Sequence, residues 1–159
     1  AGCGYEEALN KETLSTFNRE EASFTINQLK EIVIHLDQPE NYSYAIIAPY
    51  KAQVELLRYF LSELKYPPAL LKRISINSVD AFQGQERDIV LISLTRSNAQ
   101  GVIGFLSEEK RMNVAMTRAK HKLVLIGDSA TLSRHSFFDK LIQHYQVQDH
   151  YRSAFEFLY

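Results

Sequence analysis

Cysteine is almost missing from this sequence. Cys3 alone among 159 residues excludes an internal disulfide and a cysteine-rich zinc site, and a lone thiol fits a reducing compartment. An excess of one charge is missing as well. The 18 basic and 19 acidic residues leave a net charge of −1, so any nucleic-acid surface has to come from local clustering. No apolar run approaches the length of a membrane span or a signal-peptide core, which leads us to expect a soluble, cytoplasmic or otherwise intracellular chain without a membrane partner. There is also no G-x-x-x-x-G-K-S/T loop to cradle phosphates, and no acidic pair after a strand that reads as a magnesium site. Residues 1–159 alone are therefore not expected to hydrolyse a nucleotide.

What is present suffices for one substantial core. With 45% hydrophobic residues, residues 1–159 are expected to form a single domain. Residues 1–16 carry glycines and charges without periodicity, and with no initial methionine we expect a fragment of a longer protein. Asn18 reads as a helix N-cap with Glu21 as its capping-box partner. Ala22, Ile26, Leu29, Ile32, Val33 and Leu36 then recur at helical spacing. Residues 44–48 form a short apolar strand stopped by Pro49, which has no N–H to donate. Residues 52–64 form a second amphipathic helix, closed by Tyr66-Pro67-Pro68, and Lys65, Lys72 and Arg73 make the next connection mildly basic. Ser107 is placed to cap a helix with Glu108 and Glu109 in its first turn and Arg118 and Lys120 in its last, an order that suits the helix dipole without any ligand. Residues 123–126 read as a final buried strand, residues 132–145 as a further helix, and the tail as a surface strand or partly ordered end.

Residues 74–95 form the centre of this pattern. Ile74 and Ile76 alternate with Ser75 and Asn77, while 89–94 is an apolar run suited to a strand buried on both faces. Between them Ser78, Asp80, Gln83, Gln85, Glu86, Arg87 and Asp88 surround Gly84, where the backbone can turn or approach a ligand. A solvated crossover with a glycine turn also accounts for that composition. Strands alternating with helices predict an α/β fold, a mostly parallel sheet with helices on both faces. Such sheets bind ligands at the carboxyl ends of their strands, where we expect Tyr50, residues 78–86, Arg96 and Asp128 to converge.

The same stretch, S-V-D-A-F-Q-G-Q-E-R-D before an apolar strand, resembles motif V of superfamily 1 helicases, in the branch of the nonsense-mediated-decay RNA helicase and its DNA-acting relatives. Gly104-Phe105-Leu106 through Arg111-Met112-Asn113-Val114-Ala115-Met116-Thr117-Arg118-Ala119 resembles motif VI. Phe17-Asn18-Arg19-Glu20-Glu21-Ala22 is similar to the motif opening the second motor domain, and Ala48-Pro49-Tyr50-Lys51-Ala52-Gln53 to motif IV. Four motifs in order are far more specific than any one of them.

The resemblance implies a RecA-like fold of the P-loop NTPase type, the second of two motor domains, supplying the trans half of an ATP site whose phosphate loop and magnesium ligands belong to the first. It implies ATP with Mg2+, an N-terminal motor domain of the same protein and a single strand of DNA or RNA as partners, and 5′ to 3′ travel. Arg118 matches the motif VI arginine finger, and Arg19 a second γ-phosphate arginine. Gly84 and Glu86 match positions near the nucleotide, with Gln83 in the same motif. Ser78 matches the hydroxyl residue, often Thr, that bonds a strand phosphate, and Pro49 and Tyr50 lie beside the strand track, where Tyr50 either stacks or packs. Arg111, on the same helix face as Arg118 by spacing, contacts the nucleotide or buttresses Asp80 or Glu86. Two rival readings stand beside this one. Asp88, Glu108 and Lys110 superficially give the Asp and Glu-x-Lys set of a metal-dependent nuclease, although Glu108 opens a helix where that set needs a strand. A degenerate helicase domain acting only as a protein-binding module is the other, against which the intact Arg19, Gly84, Glu86 and Arg118 argue.

Overall fold

The computed structural model describes residues 5–157, so Cys3 lies outside the described residues. The stretch expected to lack regular structure holds a small hairpin, β1 (Ala8–Leu9) paired antiparallel with β2 (Thr16–Phe17). Asn10 makes its turn, because its side-chain oxygen accepts from the backbone of Glu12 and Thr13 at 2.9 and 3.0 Å. Helix α1 (Arg19–Ile34) follows, capped by Asn18, whose side chain accepts from Glu21 N at 3.0 Å. The other half of the expected capping box is absent. The Asn18 N–H donates to Gln53 at 2.8 Å, and Glu21 turns inward to a different partner described below.

After a 3-10 turn at Pro39–Asn41 come β3 (Tyr44–Ile47), α2 (Lys51–Glu63), the short α3 (Pro68–Leu71) and β4 (Ile74–Asn77). A 3-10 turn at Val79–Phe82 leads to β5 (Arg87–Ser93), and another at Gly104–Ser107 to α4 (Glu109–Met116) and β6 (Ala119–Ile126). The remainder is α5 (Ser129–Leu132), α6 (Ser136–Val147) and a last 3-10 turn, Ala154–Phe157.

The four longer strands form a parallel sheet in the order β4-β3-β5-β6, with Ile46 opposite Ile76 and Leu91, and Val90 opposite Leu123. Side chains alternate between its faces. Tyr44, Ile46, Ile89 and Leu91 pack against Ala22, Ile26 and Leu29 of α1 and Val54, Leu57 and Leu61 of α2. Ala45, Ile47, Val90 and Ile92 pack on the opposite face against Phe82, Leu106, Met112, Ala115, Leu132 and Phe138. The expected α/β architecture, a parallel sheet covered on both faces in the RecA-like manner, is what the chain adopts. No helix among the described residues is long and apolar enough to cross a membrane.

Several local expectations need correction. Strand β6 is longer than 123–126 and is an outer strand, with Lys120, His121 and Lys122 exposed and only Ile126 buried. At the other side of the sheet Arg58 reaches from α2 to the outward-facing carbonyl of Ile76, at 3.1 Å from Nε and 2.7 Å from Nη2. The helix expected at 132–145 is broken into α5 and α6, and the break lets the His135 ring meet the Gly101 carbonyl at 2.7 Å. Ser107 does not cap α4, because its hydroxyl donates to the Gly104 carbonyl at 2.8 Å. Helix α4 ends at Met116, so Arg118 and Lys120 lie past its last turn and Arg111 and Arg118 do not share a helix face. Among its described residues the tail holds no strand, and its Phe157 packs edge-on to Phe24 of α1, with centroids 5.6 Å apart.

One correction moves candidate residues. Strands β4 and β5 flank β3 and run parallel to it, so the segment between them has to cross from the carboxyl ends of the strands back to their amino ends. Phe82, 2% exposed, pins that crossover to the sheet face. Ser78 therefore leaves the carboxyl edge as expected, while Glu86 arrives at the opposite edge.

Candidate functional site

The carboxyl edge is organised by Arg96, three residues beyond the end of β5. Its guanidinium forms a forked pair with Glu7, Nε to Oε2 at 2.8 Å and Nη2 to Oε1 at 2.9 Å, the geometry that makes such pairs strong. Burial alone would raise the Glu7 pKa, but the hydrogen bonds from Arg96, Asn98 and Ser97 outweigh it and hold the carboxyl below its usual value. The third arm of Arg96 donates to the Tyr50 hydroxyl at 3.0 Å, which in turn donates to the Ile103 carbonyl at 3.3 Å. Tyr50 is 7% exposed, and its side chain packs within this cluster. Gly104 closes this cluster at φ +51, and a Cβ there would lie 2.5 Å from Arg96 Nη1 and 2.7 Å from the Tyr50 oxygen. Pro49 is half-buried beside it, and Ser78 lies one strand over, since Ala48 N donates to the Asn77 carbonyl at 3.3 Å.

Beneath this edge lies a buried polar network that sequence reasoning missed. Glu21 is 2% exposed and accepts from the Ser93 hydroxyl at 2.6 Å and from Thr95 N at 2.7 Å. Gln53 binds both Ser93 Oγ and the Asn18 carbonyl through its amide nitrogen, at 2.9 and 3.1 Å. Burial pushes the Glu21 carboxyl up to about 7, against those two hydrogen bonds and helped by the charges of Asp128 and Glu7. Thr95 is wholly buried with φ +72, a strained conformation for a β-branched residue. The signal was available only as four polar residues inside apolar patterns, and nothing in their spacing pairs them.

The amino edge gathers the other candidates. Gln83, Gly84 and Glu86 are exposed, and Gly84, at φ +72, has nothing within 4 Å of where a Cβ would stand. Arg87 N donates to the Arg118 carbonyl at 2.9 Å, which fixes the end of the crossover beside the turn before β6. The Arg118 side chain is half-buried, with Nε donating to the Val114 carbonyl at 3.1 Å and Nη2 to Thr117 Oγ1 at 3.2 Å. Two of its five donors thus close the end of α4, as a helix C-terminal cation does. Arg111 ties α4 to the crossover, 3.5 Å from Asp80 and 3.2 Å from Glu108. Of its possible partners, then, it meets Asp80 and not Glu86.

Arg19 is not brought to Arg118. It heads α1 on the other sheet face, where its neighbour Glu21 reaches the carboxyl end of β5, whereas Arg118 lies by the amino end. Its guanidinium sits 5.2 Å from the Phe60 ring centroid, a cation–π contact that offsets its unfavourable place at a helix N-terminus.

Nor does the nuclease set assemble. Asp88 accepts from Ser43 N and Oγ at 2.8 and 3.0 Å, bonds that hold its carboxyl below the usual value, while Glu108 pairs with Arg111. Among the described residues no three His, Cys, Asp or Glu side chains gather as a metal set.

Residues 3–130 match the family described as an AAA domain. The chain is 39% identical to the mouse DNA-binding protein SMUBP-2 over 99% of its own length, 35% identical to the Caenorhabditis elegans regulator of nonsense transcripts 1 over 92%, and 37% identical to the Schizosaccharomyces pombe helicase sen1 over 82%. It spans 15%, 14% and 8% of those three proteins. With motifs V and VI in order on a parallel sheet covered on both faces, the chain belongs to this AAA domain family of superfamily 1 helicases, in the branch of the nonsense-mediated-decay helicase and its DNA-acting relatives.

Proposed function

We propose that this chain is the second RecA-like motor domain of a longer ATP-dependent helicase or translocase, working against an N-terminal motor domain and moving 5′ to 3′ on single-stranded DNA or RNA. The observation that carries this reading is the crossover of residues 78–86. It starts with the Ser78 hydroxyl at one edge of the sheet and ends at the other, hydrogen-bonded beside Arg118. On this reading one segment joins a strand-binding group to a nucleotide-binding one.

Ser78 binds a phosphate of the strand, with Pro49 beside it and Tyr50 holding the edge from beneath. Arg118 serves as the arginine finger, because its unengaged donors still present a fork that fits phosphate oxygens. The open backbone of Gly84 admits close approach of the nucleotide, Glu86 adjoins its ribose or phosphates, and Gln83 lines the same segment. Arg111 positions the crossover through Asp80. When bound, ATP supplies the phosphoryl group whose transfer to water drives the domains through opening and closing, with Mg2+ held by the partner domain. We assign the phosphate contact to Arg118 in preference to Arg19, whose cation already has an aromatic partner.

In the full-length protein, Arg118→Lys keeps a cation at the end of α4 and loses the fork. ATP turnover is expected to fall by roughly 10³–10⁵ with an unchanged melting temperature. Retention of most of the turnover would remove Arg118 from the reaction.

A further inference from the structure

Phe105 is held outward at the carboxyl edge by everything around it. It is 55% exposed, yet the loop that carries it is fixed at many points. The Asn98 side chain bonds both N and O of Val102 at 2.9 and 2.8 Å, Arg134 donates to the Ala99 carbonyl at 2.8 Å, and His135 meets the Gly101 carbonyl. The next residue, Leu106, is 1% exposed and anchors the turn in the core. Beneath Phe105 lies the Tyr50 ring, centroids 5.6 Å apart and tilted 45°. Tyr50 cannot yield that slot, because its hydroxyl is tied to Arg96 and to Ile103. A phenyl ring that cannot withdraw forgoes the burial it would otherwise gain, and leaves a flat apolar face exposed beside Pro49 and Tyr50. Lys51, exposed in the first turn of α2, puts a cation on the same edge.

We propose that the Phe105 ring stacks on a nucleobase of the bound single strand. The contact rests on reading the carboxyl edge as the strand track, and deepens it. Stacking on a phenyl face is indifferent to base identity, so it suits a motor that must pass over any sequence. The ring is backed by Tyr50, whose face carries the Arg96 cation 5.7 Å away, so the platform is stiff in the absence of a ligand.

The test uses the full-length protein and labelled oligo-dT or oligo-U, intact or carrying one abasic residue moved stepwise along the strand. Phe105→Ala is expected to weaken binding of the intact strand about five- to hundredfold, without altering the salt slope, since no phosphate contact is lost. Phe105→Trp is expected to bind as wild type. One abasic position should weaken the wild-type complex and leave the Phe105→Ala complex no weaker than before. Equal abasic penalties in both proteins overturn the stacking. So does a Phe105→Ala protein that binds like wild type while its ATP turnover falls, which would seat the ring against the other motor domain. If Ser78→Ala weakens binding and Phe105→Ala does not, only the stacking falls. If neither does, the track reading falls as well.

Discussion

The N–H of Arg87 and the carbonyl of Arg118 meet at 2.9 Å, so the first residue of β5, where the crossover ends, and the turn ahead of β6 are joined through main chain alone. Replacing either side chain leaves that bond in place. Arg118→Ala therefore loses only the guanidinium contacts to Val114 and Thr117, and is expected to cost about 0.3–1 kcal/mol in a urea titration. A cost several times larger would make the side chain chiefly structural, and a fall in turnover could then no longer be read as chemistry.

On the proposed function, Ser78 opens the strand track at the other end of the crossover. Ser78→Ala in the full-length protein should weaken single-strand affinity by about 0.5–1.5 kcal/mol, the worth of one hydrogen bond. With a net charge of −1 on this chain, the proposed track is expected to neutralise few phosphates, so the salt dependence it adds should be shallow. Titrations at two salt concentrations decide it, and unchanged affinity at both excludes Ser78 from the contact.

Glu21 gives the fold a pH dependence of its own. Its carboxyl is pushed up to about 7 from 4.5, so between those values the folded chain holds a proton that the unfolded chain has released. Stability must then fall as pH rises through that window and level off above it, by on the order of 3 kcal/mol at most. Glu7 and Asp88, held below their usual values, act in the opposite sense and lose their contribution as acid protonates them. Denaturation midpoints between pH 5 and 8 should decline in the wild type and stay nearly level in Glu21→Gln. An equal decline in both would place the titrating group elsewhere.

The two glycines with positive φ at the candidate site differ in what surrounds them. At Gly84 a methyl group meets open space, so Gly84→Ala should cost only strain, about 1 kcal/mol. At Gly104 it would press on Arg96 and Tyr50 as well, raising the expected cost to about 2–4 kcal/mol. On the proposed function the order reverses for ATP turnover, with Gly84→Ala the more damaging. Calorimetry and a turnover assay on both variants would expose either ranking as wrong.

Strands β3 to β5 and the first helix were legible because period-2 and helical spacings report burial directly, as in Ile74 to Asn77 or Ala22 to Val33. The cap at Asn18 was legible for the same local reason. Glu21 was misread because a capping box competes with tertiary acceptors, and Ser93 and Thr95 are remote in sequence. Placing all of 78–86 on one edge ignored what parallel pairing requires of a crossover, although the sequence already implied a parallel sheet. The break between α5 and α6 left no mark, since Ser133, Arg134 and His135 fit a helix and leave it to meet Ala99 and Gly101. At the candidate site, the motif order singled out Arg118 and Gly84 as candidates, but the pairing of Tyr50 with Arg96 and Glu7 depends on the hairpin that residues 5–17 concealed.

The guanidinium of Arg58 on the Ile76 carbonyl bears on how copies of this chain behave toward each other. Among the described residues the parallel sheet has β4 and β6 at its edges, two lines of backbone donors and acceptors on which another strand could grow. On one side strand β4 is short and has an outward carbonyl already taken by Arg58, and on the other Lys120, His121 and Lys122 stand exposed along the first half of β6. Self-association through these edges is thus opposed by Arg58, Lys120 and Lys122, whose charges repel their counterparts on a second molecule. High salt screens that repulsion, so light scattering should detect self-association there first, well before any loss of fold.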